Sequence, residues 1–207
     1  ITGISIEFCW IEENNLDIVQ GIAFDLGDYM NGALNKLDYR GCILDVDDTL
    51  YDYKSAHKIA IKYVYERFSE VQKLYDFATF YKFYRVHRKK ITEKHNGSGA
   101  SRSRALAFLG LFESAKVPFA YGLSVDAEKI YWSRLISNMK AKKEVLKLVR
   151  DLHKIGVSIC VVTDMQFGIQ VQKLRKLNLD KLVDFVVSSE EAGCEKPDPL
   201  IFDLALK

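Results

Sequence analysis

No apolar run in the chain approaches the ~20 residues that a membrane-spanning helix needs, so no membrane partner is expected. Charge of one sign is lacking too: 30 lysines and arginines stand against 28 aspartates and glutamates, a net charge of +2. That balance makes no case for nucleic acid as a partner. The four cysteines (Cys9, Cys42, Cys160 and Cys194) are scattered without a CxxC spacing, the usual mark of a zinc site or redox pair. Buried thiols in a reducing, cytoplasmic compartment are expected instead. The chain opens on Ile1 rather than methionine and stops at Lys207 within a helical pattern, as a fragment of a longer protein would.

What is present is an ordinary globular composition, 48% hydrophobic and 28% charged over 207 residues. This length suits one sizeable core, or a core with a smaller insert. Residues 1–40 differ from the rest: Ile4, Ile6, Phe8 and Trp10 alternate with smaller or polar residues as in a strand, and a turn follows at 12–15. This segment reads as the tail of an upstream domain or as an added edge strand. From Tyr53 to about Asn138 the pattern is helical. Ala56, Ile59, Ala60, Tyr63, Val64 and Phe68 recur at helical spacing, an aromatic-rich helix follows over about 77–93, and another over 126–139. Between them Ser101 or Ser103 is suited to cap a further helix. After Lys140 helix and strand alternate. A helix stripe runs from Val145 to Ile155 and stops at Gly156, then come a strand over 157–162, a helix from Phe167 to about Asn178, a strand over 184–187 and a last helix opened by Pro197. This rhythm predicts an α/β fold, a Rossmann-like parallel sheet with crossover helices. The core is expected from 41–52 and 139–207, and an inserted helical unit from 53–138.

Three short stretches carry chemistry. Asp45-Val46-Asp47-Asp48-Thr49 follows an apolar run that suits a buried strand; Thr163-Asp164 closes a second strand; Glu195-Lys196-Pro197-Asp198-Pro199 precedes a helix. In an open parallel sheet all three fall at the carboxyl edge, where ligands bind. One attacking carboxylate and a second that handles protons suffice for covalent phosphoryl transfer. Thr163 and Lys196 are suited to hold a phosphate, and magnesium would offset its repulsion from the carboxylates. A calcium-binding EF-hand fails at its sixth and twelfth positions, which are Leu50 and Ala56 here. The acidic pocket of a response-regulator receiver does not suit the long helical insertion or the placing of Thr163.

The three stretches, in this order from about Gly41 to Lys207, resemble motifs of the haloacid dehalogenase-like (HAD) superfamily in its phosphatase branch. The run from Ser188 to Pro199 is especially like subfamily I, whose helical cap lies between the first and second motifs. The resemblance implies Asp45 as the nucleophile, and Asp47 as the acid that protonates the leaving oxygen and then activates water. It implies Thr163 and Lys196 as phosphate-binding residues. It also implies a Mg2+ cofactor held by the Asp45 side chain and the Asp47 backbone carbonyl. The Asp at 47 fits phosphatases and phosphomutases, and the haloacid dehalogenases lack it. The fourth motif, an apolar strand ending in Gly-Asp or a close equivalent, is expected beyond Lys207. Gly27-Asp28 and Phe24-Asp25-Leu26-Gly27 imitate family motifs without their context. Loss of the fourth strand would bare an edge beside Ile43, and residues 4–10 are a candidate to cover it.

The expected function is hydrolysis of a small phosphorylated metabolite. The alternatives are a phosphomutase, or a non-catalytic regulatory or interaction domain of a larger protein. In the helical unit Arg85, Arg88, Lys89, Lys90 and Lys94 read as a solvated face rather than as a steering surface. The loop 95–101 with Arg102 and Arg104 is the better substrate contact. His57 is close enough in sequence to the first motif to approach a substrate, but is expected to be exposed.

Overall fold

The computed structural model describes residues 6–9 and 41–207. Four strands form one sheet in the order β1 (Ile6–Cys9), β2 (Gly41–Leu44), β3 (Ser158–Thr163) and β4 (Phe185–Ser188). β2, β3 and β4 are parallel, in the register Leu44 opposite Val161 and Val161 opposite Val186. β1 runs antiparallel to β2, with Glu7 opposite Ile43, so the β2 edge away from β3 is paired along its length. The turn expected at 12–15 and the two motif imitations at 24–28 lie outside the described residues.

Period-two alternation divides the strands between two apolar layers. Cys42 and Leu44 of β2, with Ile159 and Val161 of β3, belong to the larger cluster, which continues into the helices. Ile43, Cys160 and Val162 point the other way and pack with Val187, Cys194 and Ile201. The sheet is therefore buried on both faces, as parallel sheets require. The fold is α/β, a Rossmann-like parallel sheet with an inserted helical cap. No helix among the described residues is long and apolar enough to cross a membrane.

The cap comprises α1 (Tyr53–Arg67), α2 (Ser69–Gln72), α3 (Phe77–Lys94), α4 (Arg104–Ser114) and α5 (Ala120–Ser137), with a 3-10 turn at Gly99–Arg102. Side chains at N-caps start three of these helices: Asp52 accepts from the Ser55 amide at 3.1 Å, Asp76 from Thr79 at 2.8 Å and Ser103 from Leu106 at 3.2 Å. Ser103, rather than Ser101, is thus the cap of α4. The two connections between cap and sheet run side by side, Tyr51 bridging Ala141 and the Lys142 amide donating to the Leu50 carbonyl at 3.0 Å.

The core helices are α6 (Lys143–Lys154), α7 (Phe167–Lys176), α8 (Ser189–Ala192) and α9 (Pro199–Ala205). In α6, Val145, Leu148, Val149 and Leu152 are buried at helical spacing, and Gly156 ends the turn at φ +79°. The last helix opens at Pro199, two residues after the expected Pro197. Asp198 caps it by accepting from the Leu200 amide at 3.0 Å, and the proline takes the first helical position, where no amide is needed.

Candidate active site

β2 and β3 end at the same edge, and the register carries Asp45 and Thr163 to it together. Asp45 follows directly on β2. A turn closed by the Leu50 amide on the Val46 carbonyl at 2.9 Å then returns Asp47 to the same edge. Lys196 arrives from the loop before α9. Its Nζ lies 2.8 Å from Asp45 Oδ1 and 3.0 Å from the Val162 carbonyl, which fixes the ammonium against the carboxylate. The Lys196 amide donates to Asp164 Oδ1 at 2.8 Å, so Asp164 holds the loop by its backbone. Burial raises the Asp164 carboxyl above its usual range, against the opposing pull of that amide and of the Lys196 charge. Asp48 likewise serves the backbone, accepting from the Tyr53 amide at 3.2 Å.

Asp47 sits in a tighter frame. Lys173 of α7 has no exposed surface, and its Nζ forks onto both Asp47 oxygens at 2.7 and 2.9 Å. An ammonium buried this way needs a paired carboxylate, and Asp47 supplies it. The Tyr51 hydroxyl donates to Asp47 Oδ1 at 2.5 Å. Burial, then the Asp47 charge, push the Tyr51 phenol far up, so it stays a donor. One turn earlier on α7, the buried Gln170 donates to Thr163 Oγ1 at 2.5 Å. α7 therefore orients two of the residues at the sheet edge.

Cap and core share a cavity of about 980 Å³, and Asp45, Asp47, Thr163 and Lys196 all line it. All four site residues expected from the sequence are thus brought together. Cap and core are also joined across it. Arg102 donates to Glu195 Oε1 at 3.0 Å and lies 3.6 Å from Asp164, and the Ser101 hydroxyl donates to the same Glu195 oxygen. Arg85, Arg88 and Lys89 line the cavity, where a solvated face was expected. Their spacing of three and four residues puts them on the face of α3 turned to the sheet edge. His57 also lines the cavity. It is half-buried rather than exposed, stacked on Tyr53 at 5.4 Å between centroids and 2.7 Å from the Tyr131 hydroxyl. Burial, then Arg104 and Arg88, push it down to about 4, so it is neutral near pH 7.

Among the described residues no group of three or more His, Cys, Asp or Glu side chains is gathered as a metal site. Asp45 and the Asp47 backbone offer hard oxygen donors, the kind Mg2+ takes together with substrate phosphate and water. With the Asp47 side chain engaged by Lys173 and Tyr51, the backbone carbonyl is the Asp47 donor that fits.

The family model of the haloacid dehalogenase-like hydrolases matches residues 39–207. The chain belongs to this family. A curated relative, the ribulose-1,5-bisphosphate 5-phosphatase of Halopiger xanaduensis, is 30% identical over 164 residues, 79% of this chain and 69% of the relative. Among solved structures, YfnB of Bacillus subtilis, described as bound to magnesium, superposes with a TM-score of 0.58 at 19% identity, covering 78% of this chain and 70% of that one. The 2-haloacid dehalogenase of Pseudomonas syringae pv. Tomato DC3000 gives 0.58 at 21% identity, covering 79% and 70%. At these identities the two structures speak for the HAD fold alone.

Sequence reading of this HAD-like hydrolase passes over Lys173, Gln170 and Tyr51 as site residues, and quotes Glu195 in the third stretch without a role. A signal for two of them exists: Gln170 and Lys173 fall on the same stripe of α7 as Leu174 and Leu177, a polar pair on an apolar face. Buried polar groups need partners, so such a pair points to a site.

Proposed function

We propose that this HAD-type phosphoric monoester hydrolase is a magnesium-dependent phosphatase acting on a small phosphorylated metabolite through an aspartyl phosphate. The observation that carries the reading is the Asp45–Lys196 pair at 2.8 Å, in one cavity with Asp47 and Thr163. In this reading an Asp45 carboxylate oxygen attacks phosphorus, the bond to the ester oxygen breaks, and Asp47 gives that oxygen its proton. Water then attacks the phosphoryl group, Asp47 takes up the water's proton, and inorganic phosphate leaves with Asp45 regenerated. Thr163 and Lys196 hold the phosphoryl oxygens, and Lys173 with Tyr51 orients Asp47. Mg2+, held by the Asp45 carboxylate and the Asp47 carbonyl, would offset the charge between phosphate and carboxylates.

The acid at position 47 supports ester hydrolysis over dehalogenation. The curated relative's name, a 5-phosphatase of ribulose 1,5-bisphosphate, supports a sugar phosphate as the class to try first. The cytoplasmic setting belongs to the same proposal and rests on the scatter of the four cysteines. The test is phosphate release by the complete protein over a panel of sugar phosphates and nucleotides. Asp45→Asn is expected to bring release below detection while leaving the melting temperature nearly unchanged, and chelation of Mg2+ to do the same reversibly. Turnover retained by Asp45→Asn would sink the assignment.

A further inference from the structure

The cap side of the cavity holds a buried and a half-buried cation without carboxylate partners. Arg104, at the start of α4, is 5% exposed and lines the cavity. Its guanidinium donates to the Arg102 carbonyl at 3.0 Å and the Tyr53 hydroxyl at 3.1 Å, and lies 5.2 Å from the centre of the Trp132 ring. Its Nε has no hydrogen-bond partner. Glu128 accepts from the Arg104 and Ala105 backbone amides at 3.0 and 3.1 Å, and not from the guanidinium. Half-buried Arg88, on the cavity face of α3, donates to Thr92 at 2.8 Å and to the Ser101 carbonyl at 2.5 Å. Among the described residues no carboxylate forms an ion pair with either arginine. The contrast with Arg102 is direct, since Glu195 and Asp164 answer its charge.

Burying a cation is costly unless an anion answers it. Here the two guanidinium groups also repel one another. Burial, then Arg104, lower Arg88 to about 10, which still leaves it charged near neutral pH. His57, on which both arginines act, is held neutral and supplies no charge of its own. Lys82 and Arg85 add positive charge along the same wall. Two fixed guanidinium groups match the dianion of a phosphate better than the single charge of a carboxylate, and their forked donors suit its oxygens. The cavity of about 980 Å³ lies at the upper end of the range for small-molecule sites, roomy for a metabolite extending well beyond one phosphate.

We propose that Arg88 and Arg104 form a second anion subsite, which takes the distal phosphate of a substrate phosphorylated at both ends. The subsite rests on the phosphatase reading above, because the scissile phosphate is the one placed at Asp45. It deepens that reading by making bisphosphates the preferred class.

The experiment measures kcat/KM of the complete protein with Mg2+ for ribulose 1,5-bisphosphate and for ribulose 5-phosphate, and takes their ratio. The wild type is expected to favour the bisphosphate by at least about tenfold, the factor that ~1.4 kcal/mol of extra contact confers. Arg88→Gln is expected to bring the ratio close to one, mainly through KM. Arg104→Gln should do the same; if that buried change prevents folding, the half-buried Arg88 decides alone. A wild type that treats the two substrates alike, or a folded Arg88→Gln protein with an unchanged ratio, overturns the subsite. Either result leaves the phosphatase reading standing as long as Asp45→Asn is inactive. An Asp45→Asn protein that hydrolyses both substrates at the wild-type rate overturns both.

Discussion

Lys173 shows how much a single side chain can decide here. It lies 126 positions from Asp47 in sequence, has no exposed surface, and binds both carboxylate oxygens. Its replacement separates stability from catalysis. Methionine fills a similar volume without a charge to desolvate, and breaking an ion pair from one side is costly chiefly where the charge left behind is buried. Asp47 keeps a third of its side chain in contact with solvent, so losing its partner strands no deeply buried charge. Lys173→Met is therefore expected to shift the melting temperature by no more than a few degrees. It should lower kcat roughly tenfold to a hundredfold with KM little changed, the scale of a misplaced catalytic group. Steady-state kinetics beside a melting curve check this, and an equal rise in KM would assign Lys173 to substrate binding instead. Asp45, Asp47, Thr163 and Lys196 were legible in the sequence because each stands in a short local pattern at the end of a strand or the start of a helix. Lys173 and Gln170 reach the same edge only through tertiary packing, which leaves no pattern beyond two polar residues on an apolar stripe.

At the scale of elements, the cap is held by close helix contacts, one of them at Gly110 of α4. A β-carbon there would stand 2.6 Å from His87 Nδ1 and 3.3 Å from His87 Cγ, on the facing side of α3. The His87 ring is in turn 3.2 Å from the Ser114 hydroxyl, so moving it forfeits that contact. Alanine gains about 1 kcal/mol over glycine in helix propensity, and overpacking a contact costs about 1–3 kcal/mol. With the clash under 3 Å the steric cost should win, and Gly110→Ala is expected to lose ~1 kcal/mol net, a fall of roughly 2–4 °C for a chain this long. Thermal melts check it, and a rise in melting temperature would show that the ring rotates away freely. The sequence pattern places some helix starts and misses others. α1 and α3 open behind Asp52 and Asp76, and the sequence places both. α5 begins at Ala120, six residues before the expected start, because its N-cap is Phe119 at φ +56° with no side-chain hydrogen bond. Its buried face also begins with Ala120, Ser124 and Ala127, small residues that give little hydrophobic periodicity.

Across the whole molecule, cap and core meet through charged groups around one cavity, and this arrangement sets how stability depends on pH. His57 packs among Tyr53, Tyr81, Tyr84 and Tyr131, with Arg104 and Arg88 acting on its charge. Burial first, and then the two arginines, lower it from 6.5 to about 4. Above pH 6.5 the ring is neutral in both folded and unfolded chains, and its contribution to stability is fully present. As pH falls from 6.5 towards 4 the unfolded chain binds a proton that the folded one refuses, so stability drops across that window. Burial, then Lys90, lower His87 as well, which adds a smaller loss of the same sign. The N-cap carboxylates Asp52 and Asp76 are also lowered, chiefly by hydrogen bonds from Ser55 and Thr79, but their losses begin only near and below 3.8. The raised Asp164 carboxyl works against the histidine loss, since the folded chain takes up that proton first as pH falls, but the histidine and N-cap windows separate. The melting temperature is expected to fall between pH 6.5 and 4, and His57→Gln, which has no proton to gain, should flatten most of that slope while leaving the decline below pH 4. Calorimetric scans of both proteins from pH 7.5 to 3.5 decide it: parallel curves would mean that the half-buried imidazole in the cap is not what makes this fold sensitive to mild acid.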